Sequence, residues 1–130
     1  MDAKDVVKSH YDALQRRDMI AALAMLDDDI VWTFAGPPSI PFAGRWVGLA
    51  GVREFFHRLR TSVEIREFQV ERMVPDGVSV LVVGRERFVV RATGKQWSVR
   101  WVQIHEVRGG RIVRFDEYTD TAAIAAAYAR

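Results

Sequence analysis

Residues 84–119 read Gly-Arg-Glu-Arg-Phe-Val-Val-Arg-Ala-Thr-Gly-Lys-Gln-Trp-Ser-Val-Arg-Trp-Val-Gln-Ile-His-Glu-Val-Arg-Gly-Gly-Arg-Ile-Val-Arg-Phe-Asp-Glu-Tyr-Thr. β-Branched and aromatic residues dominate, and two glycine-bearing breaks, Thr93-Gly94 and Arg108-Gly109-Gly110, divide the stretch into consecutive antiparallel strands. The turns set which side chains share a face. With Thr93-Gly94 as a two-residue loop, Val90 faces Trp97, Phe88 faces Val99, Glu86 faces Trp101 and Gly84 faces Gln103. One face then carries Glu86, Phe88, Val90, Trp97, Val99, Trp101 and Gln103; the other carries Arg85, Arg87, Arg91, Ser98 and Arg100. A three-residue loop at Arg108–Gly110 pairs Val107 with Arg111, Trp101 with Glu117 and Gln103 with Phe115. It adds Val113, Phe115, Glu117 and Thr119 to the apolar face and leaves Arg114 and Asp116 outside. A two-residue Gly-Gly turn would swap the faces of the last strand.

Working outward, residues 64–74 and 78–92 repeat the strand-like composition around Pro75-Asp76-Gly77. Upstream the period changes to helical. Val6, Val7, His10, Tyr11 and Leu14 fall on one helix face, and Asp18 caps a short helix from Met19 to Leu26. Asp27-Asp28-Asp29 ends it, and Ile30 to Phe34 reads as a strand. Residues 35–48 form a Pro/Gly-rich loop that is unusually apolar, with Ile40, Phe42 and Trp46. A third helix, Leu49 to about Thr61, stripes Val52, Phe55, Phe56 and Leu59, and an alanine-rich helix runs from Asp120-Thr121 through Tyr128. The order α-α-β-α-β-β-β-β-α predicts an α+β domain, a half-open, cystatin-like cone in which helices cover one face of a curved antiparallel sheet around a pocket. With no repeat or linker, residues 1–130 read as one domain, long enough to bury roughly two-thirds of its unfolded surface.

Composition narrows the function classes. The 19 basic and 17 acidic residues give a net charge of +2. All but three of the basic residues are arginine, interleaved with acids as in Arg66-Glu67 and Glu71-Arg72, so no one-sided positive face for nucleic acid is expected. No membrane span and no signal peptide are expected, and the absence of cysteine makes the cytoplasm the default compartment and excludes thiolate chemistry. His10, His57 and His105 lack metal-ligand spacing, and neither a nucleophile elbow nor a phosphate loop occurs, so neither metal nor cofactor is expected.

The predicted pocket is aromatic and aliphatic and holds two carboxylates, Glu86 and Glu117, with Gln103 beside them and Tyr11 reaching in from the first helix. Burial raises a carboxyl pKa toward the range useful for proton transfer, and two carboxyls in one dry site push their values apart. Glu117 and Glu86 are therefore the catalytic candidates. Tyr11, Trp32, Phe88, Trp97, Val99, Trp101, Gln103, Phe115 and Thr119 are the candidates for contact with substrate. A slip of one residue would instead make Glu86 half of a surface ion pair with Arg85 or Arg87. Trp97 and Trp101 also fit a plain core, as does Tyr11.

Asp28-Asp29-Ile30-Val31-Trp32, Pro41-Phe42-Ala43-Gly44 leading to Gly48 and Val52-x-x-Phe55-Phe56, and Gly110-Arg111-Ile112-Val113 through Glu117-Tyr118-Thr119-Asp120 resemble the SnoaL-like branch of the nuclear transport factor two-like superfamily. The resemblance covers nearly the whole chain. It implies the cone fold and a range of activities that includes isomerases, cyclases, epoxide hydrolases and noncatalytic binders. Against ketosteroid isomerases, Tyr11 resembles the oxyanion-hole tyrosine, while the second donor falls on Gln103 and the base on Thr33. Against limonene-epoxide hydrolases, the last-strand acid falls on Glu117, and the Arg and second Asp fall on Arg87 and Val89. SnoaL-type cyclases share a last-strand carboxylate, again Glu117.

Two readings follow. One is a cofactor-free enzyme on a small apolar, oxygen-bearing molecule, performing isomerisation, cyclisation or epoxide hydration. The other is a noncatalytic ligand-binding or dimerising module. A binder tolerates a glutamate locked by arginine, whereas an acid/base residue has to titrate. A homodimer is expected through the outer sheet face, where Arg85, Arg87 and Arg100 would need answering acids.

Overall fold

The computed structural model describes residues 1–130. Its elements run α1 (Ala3–Gln15), α2 (Met19–Ala24), β1 (Leu26–Phe34), β2 (Gly44–Val47), α3 (Gly48–Ser62), β3 (Val63–Asp76), β4 (Ser79–Val90), β5 (Gln96–Arg108), β6 (Arg111–Thr119) and α4 (Thr121–Tyr128). The fold is α+β, as the period change along the chain predicts. The six strands form one curved, unclosed sheet in the order β2-β1-β6-β5-β4-β3. Neighbours are antiparallel except β1 and β6, which run parallel. Aspartates start three helices: the side chains of Asp2, Asp18 and Asp120 accept from the N–H groups of Asp5, Ala21 and Ala123.

The sequence reading is corrected in four places. The β4–β5 register lies two residues from the one a two-residue loop gives: Phe88 pairs with Trp97, Glu86 with Val99 and Gly84 with Trp101. The loop is longer, since Val90 N–H donates to Lys95 O at 2.7 Å and Gly94 N–H returns to Val90 O at 2.8 Å. Between β5 and β6 the turn is the two-residue one, pairing Arg108 with Arg111 and Val107 with Ile112. A bulge then shifts the ladder so that Glu106 pairs with Arg114, Gln103 with Glu117 and Trp101 with Thr119. Ile112, not Val113, is buried next to the turn, and the extra residue restores Phe115 and Glu117 to the inner face. Both errors were even-numbered along the ladders, so the faces survived. The short helix stops at Ala24, and β1 begins at Leu26 and runs through the three aspartates. Part of the 35–48 loop is the edge strand β2, paired to Val31–Phe34 of β1.

Helices α1, α3 and α4 cover the inner face, burying Val6, Val7, Val52, Phe55 and Ile124 against Val80, Val82, Val90, Trp97 and Phe115. The largest fully buried side chain is Trp101. Its indole lies between the rings of Tyr11 and Phe68, with centroids at 6.4 and 5.1 Å, and across Gly84. A Cβ on Gly84 would fall 2.1 Å from Trp101 Cζ2 and 2.4 Å from Gln69 O. Only glycine leaves room there.

On the outer face, Arg85 and Arg100 pair across the strands, as like charges. Glu67 and Glu71 of β3 answer them at 3.2 Å each. Arg85 and Arg100 therefore each find an acid within the chain, while Arg87, opposite Glu67 on the ladder, makes no ion pair. No helix is long and apolar enough to cross a membrane.

Candidate active site

Between α1, α3 and the inner sheet face lies a cavity of about 60 Å³. Strand alternation aims every second residue of β1, β4, β5 and β6 toward it. It is lined by Glu86, Glu117, Tyr11, Trp32, Phe88, Gln103 and Phe115, all singled out from sequence. Four other predicted contacts lie elsewhere. Trp97 sits behind Glu86 and donates its indole N–H to Glu86 Oε2 at 2.7 Å. Trp101 is sealed behind Tyr11 and Phe68. Val99 is buried in the core without lining the cavity. Thr119 is half-exposed, and its hydroxyl donates to Arg100 O at 2.7 Å, which takes the side chain away from the pocket.

The polar groups are linked in one direction. Tyr11 donates its hydroxyl proton to Gln103 Oε1, which orients the amide. Gln103 Nε2 then donates to Glu117 Oε1 at 2.7 Å. His105 Nε2 stands 3.3 Å from the same tyrosine hydroxyl. His10, on α1, donates from Nδ1 to Ala22 O at 2.9 Å, an acceptor-only partner that settles the proton on that nitrogen. Both histidines are buried.

Burial drives the titration of every member. Glu117 is held well above the usual carboxyl range, first by burial and then by the charge of Glu86, against the hydrogen bond from Gln103. Glu86 is pushed up to about 7 by burial, partly offset by the Trp97 N–H. His10 is lowered to about 4 by burial. His105 falls to about 3, from burial and then from His10. Tyr11 is raised by burial and then by Glu117. No arginine or lysine pairs with either glutamate; the ion pairs of the chain all involve other acids. Burial without a counter-cation thus favours the neutral form of both carboxyls.

Sequence reasoning passed over His10 and His105, because a lone buried histidine has no spacing signature. It noted the apolar loop and the α3 stripe but not that Phe42, Phe55, Phe56 and Leu59 form the cavity wall. Thr33 falls on the opposite parity from Trp32 and Phe34, which line the cavity. Arg87 likewise alternates with the cavity residues Glu86 and Phe88 and lies between Glu67 and Ser98 of the neighbouring strands. Two indole N–H groups are buried with no partner, those of Trp32 and Trp101. No group of three or more His, Cys, Asp or Glu side chains is arranged to hold a metal ion.

The sequence profile of the SnoaL-like domain matches residues 7–115. The chain belongs to the SnoaL-like domain family. Solved structures place its fold among the nuclear transport factor 2-like (NTF2-like) proteins. An NTF2-like protein from Burkholderia xenovorans LB400 is 31% identical, with 98% of this chain and 95% of that one covered at a TM-score of 0.89. Another, from Burkholderia thailandensis E264, is 30% identical over 100% of this chain and 99% of that one, at 0.92. An epoxide hydrolase of the LEH-like kind from M. tuberculosis shares the fold at 23% identity, over 97% and 88% of the two chains, at 0.73. No curated protein matches by sequence. Members of a SnoaL-like fold differ in what fills the cone, so the chemistry of this chain rests on its own cavity.

Proposed function

We propose that this SnoaL-like chain is a cofactor-free enzyme that moves a proton on a small, apolar, oxygen-bearing substrate, with Glu117 and Glu86 as the acid–base pair. The observation that carries this is the pairing of two buried carboxyls without a counter-cation, one oriented by Gln103 and Tyr11 and the other by Trp97. A ligand-binding module has no use for such a pair, since arginine-locked or apolar side chains would do as well.

In the proposed reaction Glu117 enters with its proton and gives it to the substrate oxygen as electrons arrive there. Glu86 enters ionised and takes a proton, either from carbon, in isomerisation or cyclisation, or from an attacking water, in epoxide hydration. The fold is compatible with the last of these chemistries, as the mycobacterial epoxide hydrolase illustrates.

The test is turnover of a panel of apolar ketones, epoxides, lactones and phenols by wild type, Glu117→Gln and Glu86→Gln. Each substitution should lower kcat by about 10²–10⁴-fold while ligand binding and folding persist. The wild-type profile should be bell-shaped, rising as the pair loses its first proton near pH 7 and falling as it loses the second. Full activity in Glu117→Gln would sink the assignment. Binding without turnover of any compound would favour a noncatalytic pocket.

A further inference from the structure

The inner cavity, at about 60 Å³, is too small to hold more than the reacting end of a ligand, and it shares a wall with a larger space outside it. Leu14, Phe56, Leu59, Phe68 and Phe88 line both the cavity and an open bowl of about 820 Å³ at the C-terminal ends of α1 and α3. The rim of that bowl is cationic, with Arg17, Arg60, Arg66 and Arg91 against Glu64 and Glu67. Its acids are already engaged: Glu64 holds Arg66 at 2.7 Å and Arg91 at 3.5 Å, and Glu67 is taken by Arg85, outside the bowl. Arg17 and Arg60 have no carboxylate partner.

These two arginines are placed in telling ways. The Arg60 guanidinium lies over the ring of Phe56, 5.6 Å from its centroid, which holds a cation at the throat between cavity and bowl. Arg17 occupies the left-handed position that closes α1. Its φ is +60°, its N–H bonds Leu14 O at 3.0 Å, and Asp18 N–H bonds Ala13 O at 2.9 Å. That helix-ending motif favours glycine, since a side chain strains the left-handed backbone. A long cation there comes at the expense of local stability.

We propose that Arg60 and Arg17 bind a carboxylate at the far end of the substrate, whose apolar body fills the throat and whose oxygen-bearing end reaches Glu117. The inference rests on the cavity being a substrate site, as proposed above. Two unpaired guanidiniums beside two engaged glutamates suit a single negative charge better than a dianion.

Calorimetric titration with 6-phenylhexanoate and with its methyl ester, at neutral pH and low ionic strength, tests it. The acid should bind wild type about tenfold tighter than the ester, and added salt should shrink that ratio. In Arg17→Gly/Arg60→Ala the ratio should fall to near one with the ester affinity unchanged. Arg17→Gly alone should weaken the acid while its Tm holds or rises, which separates lost binding from lost folding. Equal binding of acid and ester to wild type, or a preference that survives the double variant, would overturn the carboxylate subsite and leave the cavity reading standing. Binding of neither compound would likewise overturn the carboxylate subsite.

Discussion

On β4, Glu86 faces the cavity while its neighbours Arg85 and Arg87 alternate to the other face, and the two faces handle charge differently. Outside, acids and arginines are mixed and paired: Arg85 with Glu67, Arg100 with Glu71, Arg114 with Asp116. In each pair the arginine keeps more than half of its side chain in solvent, where an ion pair contributes little. Inside, Glu86 and Glu117 receive only neutral donors, from Trp97 and Gln103. A carboxyl denied both water and a cation retains its proton, and that retained proton is what acid–base chemistry uses. The proposed acid–base function of this sheet follows from where the arginines are not.

The contrast breaks most sharply at Gly84. An alanine there meets Trp101 and the Gln69 carbonyl, and Gly84→Ala should cost about 3 kcal/mol in urea unfolding. A cost below about 1 kcal/mol would mean that the inner face yields as easily as the outer one.

Next comes pH. Raised carboxyls stabilise the fold below their unfolded value near 4.5 and lose that stabilisation as pH rises through their folded values. Lowered histidines do the reverse: their contribution is complete above 6.5 and disappears as pH falls toward their folded values. The two glutamates and two histidines therefore oppose one another between pH 4.5 and 6.5. Denaturant titrations across pH should show a plateau in that window. Above pH 7 stability should decline, by up to about 1.4 kcal/mol per pH unit while Glu117 alone keeps its proton. Glu117→Gln should flatten the decline, and an unchanged slope would place its source elsewhere. The smallest effect belongs to the outer face: a double-mutant cycle on Arg85 and Glu67 should give about 0.2–1 kcal/mol.

Most of the cone was legible in the order of elements and in the alternation of strands 96–108 and 111–119. Loop lengths were not. Thr93-Gly94 marks a turn, but nothing local says that Arg91 and Ala92 leave the strand to join it. The bulge that skips Val113 is likewise set by the sheet around it. Glu86, Gln103 and Glu117 reached the right face because each register error moved the ladder by two residues, which leaves parity unchanged. The edge strand β2 and the parallel pairing of β1 with β6 are long-range contacts with no periodic signature. Trp97 and Trp101 were placed on the correct face but at the wrong depth. Parity says which way a side chain points and nothing about what stands in front of it.

The central claim is that Glu117 holds its proton at neutral pH inside the cavity. Carbon-13 NMR of the glutamate side-chain carboxyls, followed from pH 4 to 9 and assigned by Glu117→Gln and Glu86→Gln, reads this directly. The account predicts that a signal lost in Glu86→Gln moves around pH 7 and that the one lost in Glu117→Gln stays protonated beyond it. A Glu117 signal that titrates near the ordinary glutamate value of about 4.3 would contradict it.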